Sequence, residues 1–167
     1  MFKRILVPLD GSRLAEAALP AAIELASKFD SVVTLLRVVQ PPQLVMTHTD
    51  GSIYAELLTN LRQQAEEDAA LYLKAHQNLL RQQGYSVHSH ISEGEPVAEI
   101  ILEVAANRDC DTIVMSTHGR GGISRWVFGS VADKVLRQAN VPVLLIRARE
   151  ETLHWLKPAA DTVGEVG

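Results

Sequence analysis

Cysteine is nearly absent from this chain: Cys110 is the only one in 167 residues. No intramolecular disulfide can form, and a reducing cytoplasm is the expected compartment. Aromatic residues make up 5%, so a core must be assembled from Leu, Val, Ile and Ala. No apolar run approaches the roughly 18–20 residues that cross a bilayer. The segment Met1–Pro8 holds too short an apolar region for a signal peptide. Excess positive charge is lacking as well. A formal net charge of −4 and a pI near 5.8 argue against nucleic acid as the partner, and no membrane contact is expected. Two phosphate-binding signatures are missing: GxxxxGK(S/T) anywhere, and GxGxxG after the first strand, where Asp10-Gly11-Ser12 stands instead.

Apolar residues, in contrast, are plentiful at 47%, enough for one domain with a core that needs neither metal nor disulfide. Their spacing alternates between strand-like and helix-like. Lys3–Pro8, Val32–Val39, Ser86–Ile91, Thr112–Met115 and Val143–Ile146 read as strands, and Ser86–Ile91 alternates as an edge strand does. Between them, Arg13–Lys28, Ile53–Gln83, Val97–Asn107 and Val131–Arg137 carry helical periodicity. Ile53, Leu57, Leu61, Ala65, Ala69, Tyr72, His76 and Leu79 form the expected inner stripe of the long helix. Strict alternation predicts an α/β fold: a single doubly wound domain, a five-stranded parallel sheet of order 3-2-1-4-5 with helices on both faces. The domain is expected over residues 1–149, followed by a C-terminal tail, 150–167, in which Leu153, Trp155 and Leu156 cluster.

The stretch from Asp111 to Arg147 organises the rest. A buried strand is followed by a glycine-rich segment, which ends at Gly129-Ser130 where a helix begins. A helix start leaves backbone N–H groups unpaired and carries partial positive charge, and glycine allows close approach to that backbone. Gly129, Ser130, Val131 and Ala132 therefore form a candidate phosphate cradle. Ser130 with Asp133 three residues on also fits a capping box, which needs no ligand; both readings stand at this point.

In the predicted sheet, strands one and four lie side by side at the switch point, where ligands of such folds bind. Strand one ends in Pro8-Leu9-Asp10-Gly11-Ser12, strand four in Met115-Ser116-Thr117-His118-Gly119, and strand two nearby in Val38-Val39. One carboxylate, an apolar wall and a phosphate cradle suit a nucleotide. Asp10 could accept from an adenine amino group or a ribose hydroxyl, or it could serve a turn or helix cap.

Gly119, a nine-residue spacer and Gly129-Ser130 resemble the nucleotide-binding signature of the universal stress protein family: Gly, two residues, Gly, nine residues, Gly, then Ser or Thr. Ser116 stands in place of the first glycine and adds a Cβ beside the ligand path. Ile5–Ser12, Leu35–Val39 and Gly94-Glu95-Pro96 are similar to other stretches of that family, so the resemblance runs from Phe2 to Arg147. It implies that Pro8, Asp10 and Val38 lie on the adenine side of bound ATP, with or without Mg2+. Met115, Ser116 and Gly119 would follow the ribose and phosphates, and Gly129, Ser130, Val131 and Ala132 would hold the phosphates. It also implies a homodimer through Val143–Arg147. An apolar edge strand left unpaired is a liability, which agrees.

Arg120 and Arg125 could pair with phosphates or simply face solvent. The reading that best joins these features is a cytoplasmic stress-response dimer that binds ATP as a regulatory ligand with little or no turnover. A slow ATPase, with Thr117 and His118 as the residues to test, and a nucleotide-free interaction module are the alternatives. His48 reads as a solvated loop residue, and Trp126-Val127-Phe128 as core cover. His88 and His90 share one strand face but lack a recognisable third metal ligand.

Overall fold

The computed structural model describes residues 1–42, 51–117 and 129–148. Its elements are β1 (Arg4–Pro8), α1 (Arg13–Glu16), α2 (Leu19–Phe29), β2 (Val32–Val39), α3 (Gly51–Gln82), β3 (Ser86–Glu93), α4 (Val97–Asn107), β4 (Thr112–Ser116), α5 (Ser130–Gln138) and β5 (Val143–Ile146). All four strand pairings are parallel, and the sheet order is β3-β2-β1-β4-β5, as the alternation predicts.

Strand side chains alternate between two cores. Ile5, Val7, Val33 and Leu35 pack on the side of α2 and α3, together with Leu19, Ile23, Leu73 and Leu80. Leu6, Leu36, Ile113 and Met115 pack on the other side with Ile101 and Val104 of α4 and Ala132 and Val135 of α5. Burial on both faces explains why the central strands are continuous apolar runs rather than alternating ones. Cys110 belongs to the second core, where burial pushes its thiol pKa up and keeps it protonated.

Two helices differ from the sequence reading. The single helix expected over Arg13–Lys28 is broken into α1 and α2. Pro20, in the first turn of α2, has no N–H to donate to the Glu16 carbonyl, so the chain restarts there. The break leaves Glu16 buried. The long helix buries the expected stripe only in part: Leu61, Ala65, Tyr72 and His76 are half-buried. Ala69, Leu73 and Leu80 are inside, whereas Ile53, Leu57 and Leu79 are exposed. At about 1.5 Å per residue, α3 is ~48 Å long; β2, at about 3.3 Å per residue, is only ~26 Å. Arg62 pairs with Glu93, the last residue of β3. The turns before Arg62 therefore overhang the carboxyl edge of the sheet, beyond the strands formed by the described residues.

At the opposite edge, Asp111 fastens β1 in place. Its carboxylate accepts the backbone N–H of Lys3 at 2.9 Å and of Arg4 at 3.3 Å, and the Thr112 hydroxyl at 3.1 Å. Burial opposes the charged form, but those donors outweigh it and hold the pKa below the usual carboxylate range. Asp111→Ala is expected to cost about 1 kcal/mol at neutral pH, since charge-assisted hydrogen bonds are lost while the exposed donors turn to water. The carboxylate's contribution is fully present above the unfolded-state pKa of about 3.9 and is lost as pH falls through the lower folded-state value. Urea midpoints of both proteins, measured from pH 7 to pH 2, should therefore converge at the acid end.

Candidate functional site

The switch-point crevice arises from how the strands end. β1 pairs with β2 along its whole length, to Pro8 opposite Leu36, and the Leu9 N–H continues the ladder to the Leu36 carbonyl at 2.7 Å. The β1–β4 ladder stops at Leu6 opposite Ile113, although β1 runs on to Pro8 and β4 to Ser116. The carboxyl ends of β1 and β4 thus leave each other while both remain anchored to outer neighbours. Strands wound outward from such a point leave a crevice above it.

Thr117 brings the helix start to this crevice. Its N–H donates to the Ile146 carbonyl of β5 at 2.9 Å, and its own carbonyl accepts the Gly129 N–H at 2.9 Å. Gly129 is the N-cap of α5. Lys134 pairs with Glu99 of α4 at 2.8 Å on the exposed side of the two helices. The capping box does not form: Ser130 is the first helical residue, and no side chain among the described residues caps α5. Asp133 instead binds the Arg137 guanidinium four residues on, at 2.9 and 3.0 Å. The first turn of α5 thus presents the backbone of Ser130, Val131 and Ala132 at the end of β4.

The sequence-derived site residues that the structure describes lie at or just after the carboxyl ends of β1, β2 and β4 and at the start of α5. Val38, Met115, Val131 and Ala132 belong to one apolar cluster on the α4–α5 side. Pro8 ends β1, and Ser116, buried, ends β4. Asp10 follows β1 and is half-buried. It does perform the turn role: its Oδ1 accepts the Ser12 N–H at 2.8 Å, and the Ser12 hydroxyl caps α1 by accepting the Ala15 N–H at 3.1 Å. Gly119 and Arg120 lie outside the described residues, as do His48, His118, Arg125, Trp126-Val127-Phe128 and the tail.

Beside the turn after β1, on the α3 side, lies a feature that the sequence reading missed. A crevice of about 460 Å³ runs between the turn after β1, the end of β2 and α3, with Gly11, Arg37, Val38, Gln40, Asp68 and Tyr72 on its surface. Tyr72 is held from behind. Its hydroxyl donates to Glu16 Oε1 at 2.9 Å, and His76 Nε2 lies 3.4 Å from the same oxygen. Burial, then the Glu16 carboxylate, push the Tyr72 phenol pKa well above its usual range, so it remains a donor. The one signal available in the sequence was Arg37, the lone charge in β2, a run that is otherwise apolar but for Thr34.

Elsewhere, His90 is engaged by Arg108, whose Nη2 lies 2.8 Å from its Nδ1. Burial and that guanidinium lower the His90 pKa. Among the described residues, no group of three or more His, Cys, Asp or Glu is placed to hold a metal ion, and no helix is long and apolar enough to cross a membrane.

Known proteins resemble this chain along most of its length. A universal stress protein of Methanocaldococcus jannaschii is 34% identical, over 88% of this chain and 83% of that protein. The structure of UspA from Lactobacillus plantarum superposes with a TM-score of 0.73 at 27% identity, covering 87% of this chain and 98% of the other. A universal stress protein family structure from Arabidopsis thaliana, solved with AMP bound, shares the fold at 17% identity and a TM-score of 0.61, covering 89% and 94%. The Universal stress protein family itself matches residues 1–147. With the sheet order and the crevice at the β1–β4 switch point, these matches establish that the chain belongs to the universal stress protein family.

Proposed function

We propose that this protein binds ATP in the switch-point crevice, with phosphates on the backbone N–H groups of Ser130, Val131 and Ala132, reached closely past Gly129, whose own N–H is held by the Thr117 carbonyl, and the base toward Pro8, Asp10 and Val38. The observation that carries this reading is the start of α5: tied to the end of β4 through Thr117 and capped by no described side chain, it offers oriented N–H donors where the β1–β4 ladder has ended. Met115 and Ser116 flank the path between the two ends, and Gly119 and Arg120 complete the proposed phosphate side. AMP in the Arabidopsis thaliana protein agrees with an adenine nucleotide as the ligand class. In this reading the nucleotide is a regulatory ligand of a cytoplasmic stress-response protein, turned over slowly or not at all. The functional unit is a homodimer joined through Val143–Arg147, on the edge strand where Leu144 is 39% exposed.

The test begins with denaturing the purified protein and identifying released nucleotide by chromatography and mass spectrometry. Calorimetric titration of the stripped protein with ATP, with and without Mg2+, follows. Released or titrating adenine nucleotide supports the reading. Absence of both, confirmed by a second binding assay, overturns it and favours an interaction module. Asp10→Ala is expected to weaken ATP binding by roughly tenfold, the loss of one charge-assisted hydrogen bond, without altering the oligomer seen by size-exclusion chromatography.

A further inference from the structure

Arg37 is the lone charged residue of β2, half-buried on the α3 side of the sheet. Its guanidinium carbon stands 6.0 Å from the centroid of the Tyr72 ring, within cation–π range. Gly11 is also close: a Cβ there would come within 2.8 Å of Arg37 Nη1. The guanidinium is therefore pressed against the turn that carries Asp10, and Gly11, at φ +81°, leaves the space for it. Gly11, Arg37 and Tyr72 line the same crevice. Tyr72 is itself fixed by Glu16 and stacked against His76, with ring centroids 4.6 Å apart.

We infer that Arg37 is a positioning residue for base recognition: packed against the Tyr72 ring and the backbone of Gly11, it fixes the Asp10–Ser12 turn and so the direction in which the Asp10 carboxylate faces the crevice. This rests on the nucleotide reading above. A carboxylate held at the 6-position accepts from the 6-amino group of adenine and repels the 6-keto oxygen of guanine, whereas one held lower on that edge accepts from guanine N1–H and its 2-amino group. Its orientation therefore sets a preference between the two bases. The phosphate cradle belongs to the α4–α5 side of the sheet, so Arg37 should govern base selectivity and leave phosphate binding unchanged.

Calorimetry of the full-length wild type with ATP and with GTP tests this, beside Arg37→Gln, Arg37→Lys, Tyr72→Phe and Tyr72→Leu. Arg37→Gln is expected to weaken ATP about tenfold and GTP little, so the ATP preference collapses. Arg37→Lys keeps the charge but loses the planar fork and should fall between. Tyr72→Phe keeps the ring and should retain the preference; Tyr72→Leu should lose it, and serves in place of Arg37→Gln if that variant does not fold. Unchanged ATP affinity, or equal weakening of ATP and GTP, overturns the inference. A wild type that binds no nucleotide fails at the earlier step, which distinguishes the two failures.

Discussion

Gly129→Glu is expected to weaken ATP binding by at least ~100-fold while leaving the protein folded. The backbone at Gly129 has φ −58° and ψ 148°, a conformation open to any residue. A Cβ there would lie 3.4 Å from the Thr117 carbonyl, an ordinary contact. The new carboxylate, however, would sit at the N-terminus of α5, where it satisfies the same N–H groups and dipole that the phosphates need. It would also repel them. Unit charges about 4 Å apart interact by ~4 kcal/mol at the effective dielectric of a protein surface, against ~2.7 kcal/mol for a hundredfold effect. Gly129→Ala, which adds the methyl without the charge, should weaken binding far less. Circular dichroism and calorimetry on the three proteins decide the matter. A folded Gly129→Glu protein with undiminished affinity would remove the phosphates from this helix.

The largest loss of stability is expected at Leu6. It is fully buried in central β1, on the α4–α5 side, and pairs with Ile113 where the β1–β4 ladder ends. Close packing on both faces lets the site collapse only partly, so Leu6→Ala should cost about 3–5 kcal/mol. In a chain of this size that is roughly a 10 °C fall in melting temperature. The urea midpoint should drop with its slope unchanged. Leu71→Ala, at a position 69% exposed on α3, should cost under about 1 kcal/mol and provides the contrast. A Leu6→Ala protein within 1 kcal/mol of wild type would mean that β1 is not the centre of this sheet.

Sheet order and strand positions were legible because they follow from local pattern: five apolar runs, separated by helical periodicity, admit few right-handed arrangements. The helix details were harder. Pro20 lies inside an apolar rhythm that continues across it, so periodicity alone joins α1 to α2; the missing N–H decides otherwise. The α3 stripe failed at its front end for a geometric reason. Ile53 and Leu57 have the right spacing, but the sheet ends before they can use it. Ser130 and Asp133 had capping-box spacing, yet Arg137 sits one turn further on and takes the carboxylate. At the site, residues near strand ends could be placed from topology. Tyr72 and Glu16, 56 positions apart, meet only because α3 crosses over the α1–α2 break, and neither segment signals that meeting.

The strand order also has a consequence for a chain still being synthesised. β1, β2 and β3 are neighbours in the sheet and lie within the first 93 residues. The partner for the other edge of β1 is β4, which begins only at Thr112. On a chain emerging from the ribosome, a three-stranded half can therefore form while Ile5, Leu6 and Val7 still present an unpaired backbone edge. That edge closes when β4 docks, and the Asp111 carboxylate, reaching Lys3 and Arg4 from the residue just before β4, is the clasp that registers it. Chains released before Thr112 carry an open apolar template for pairing with one another.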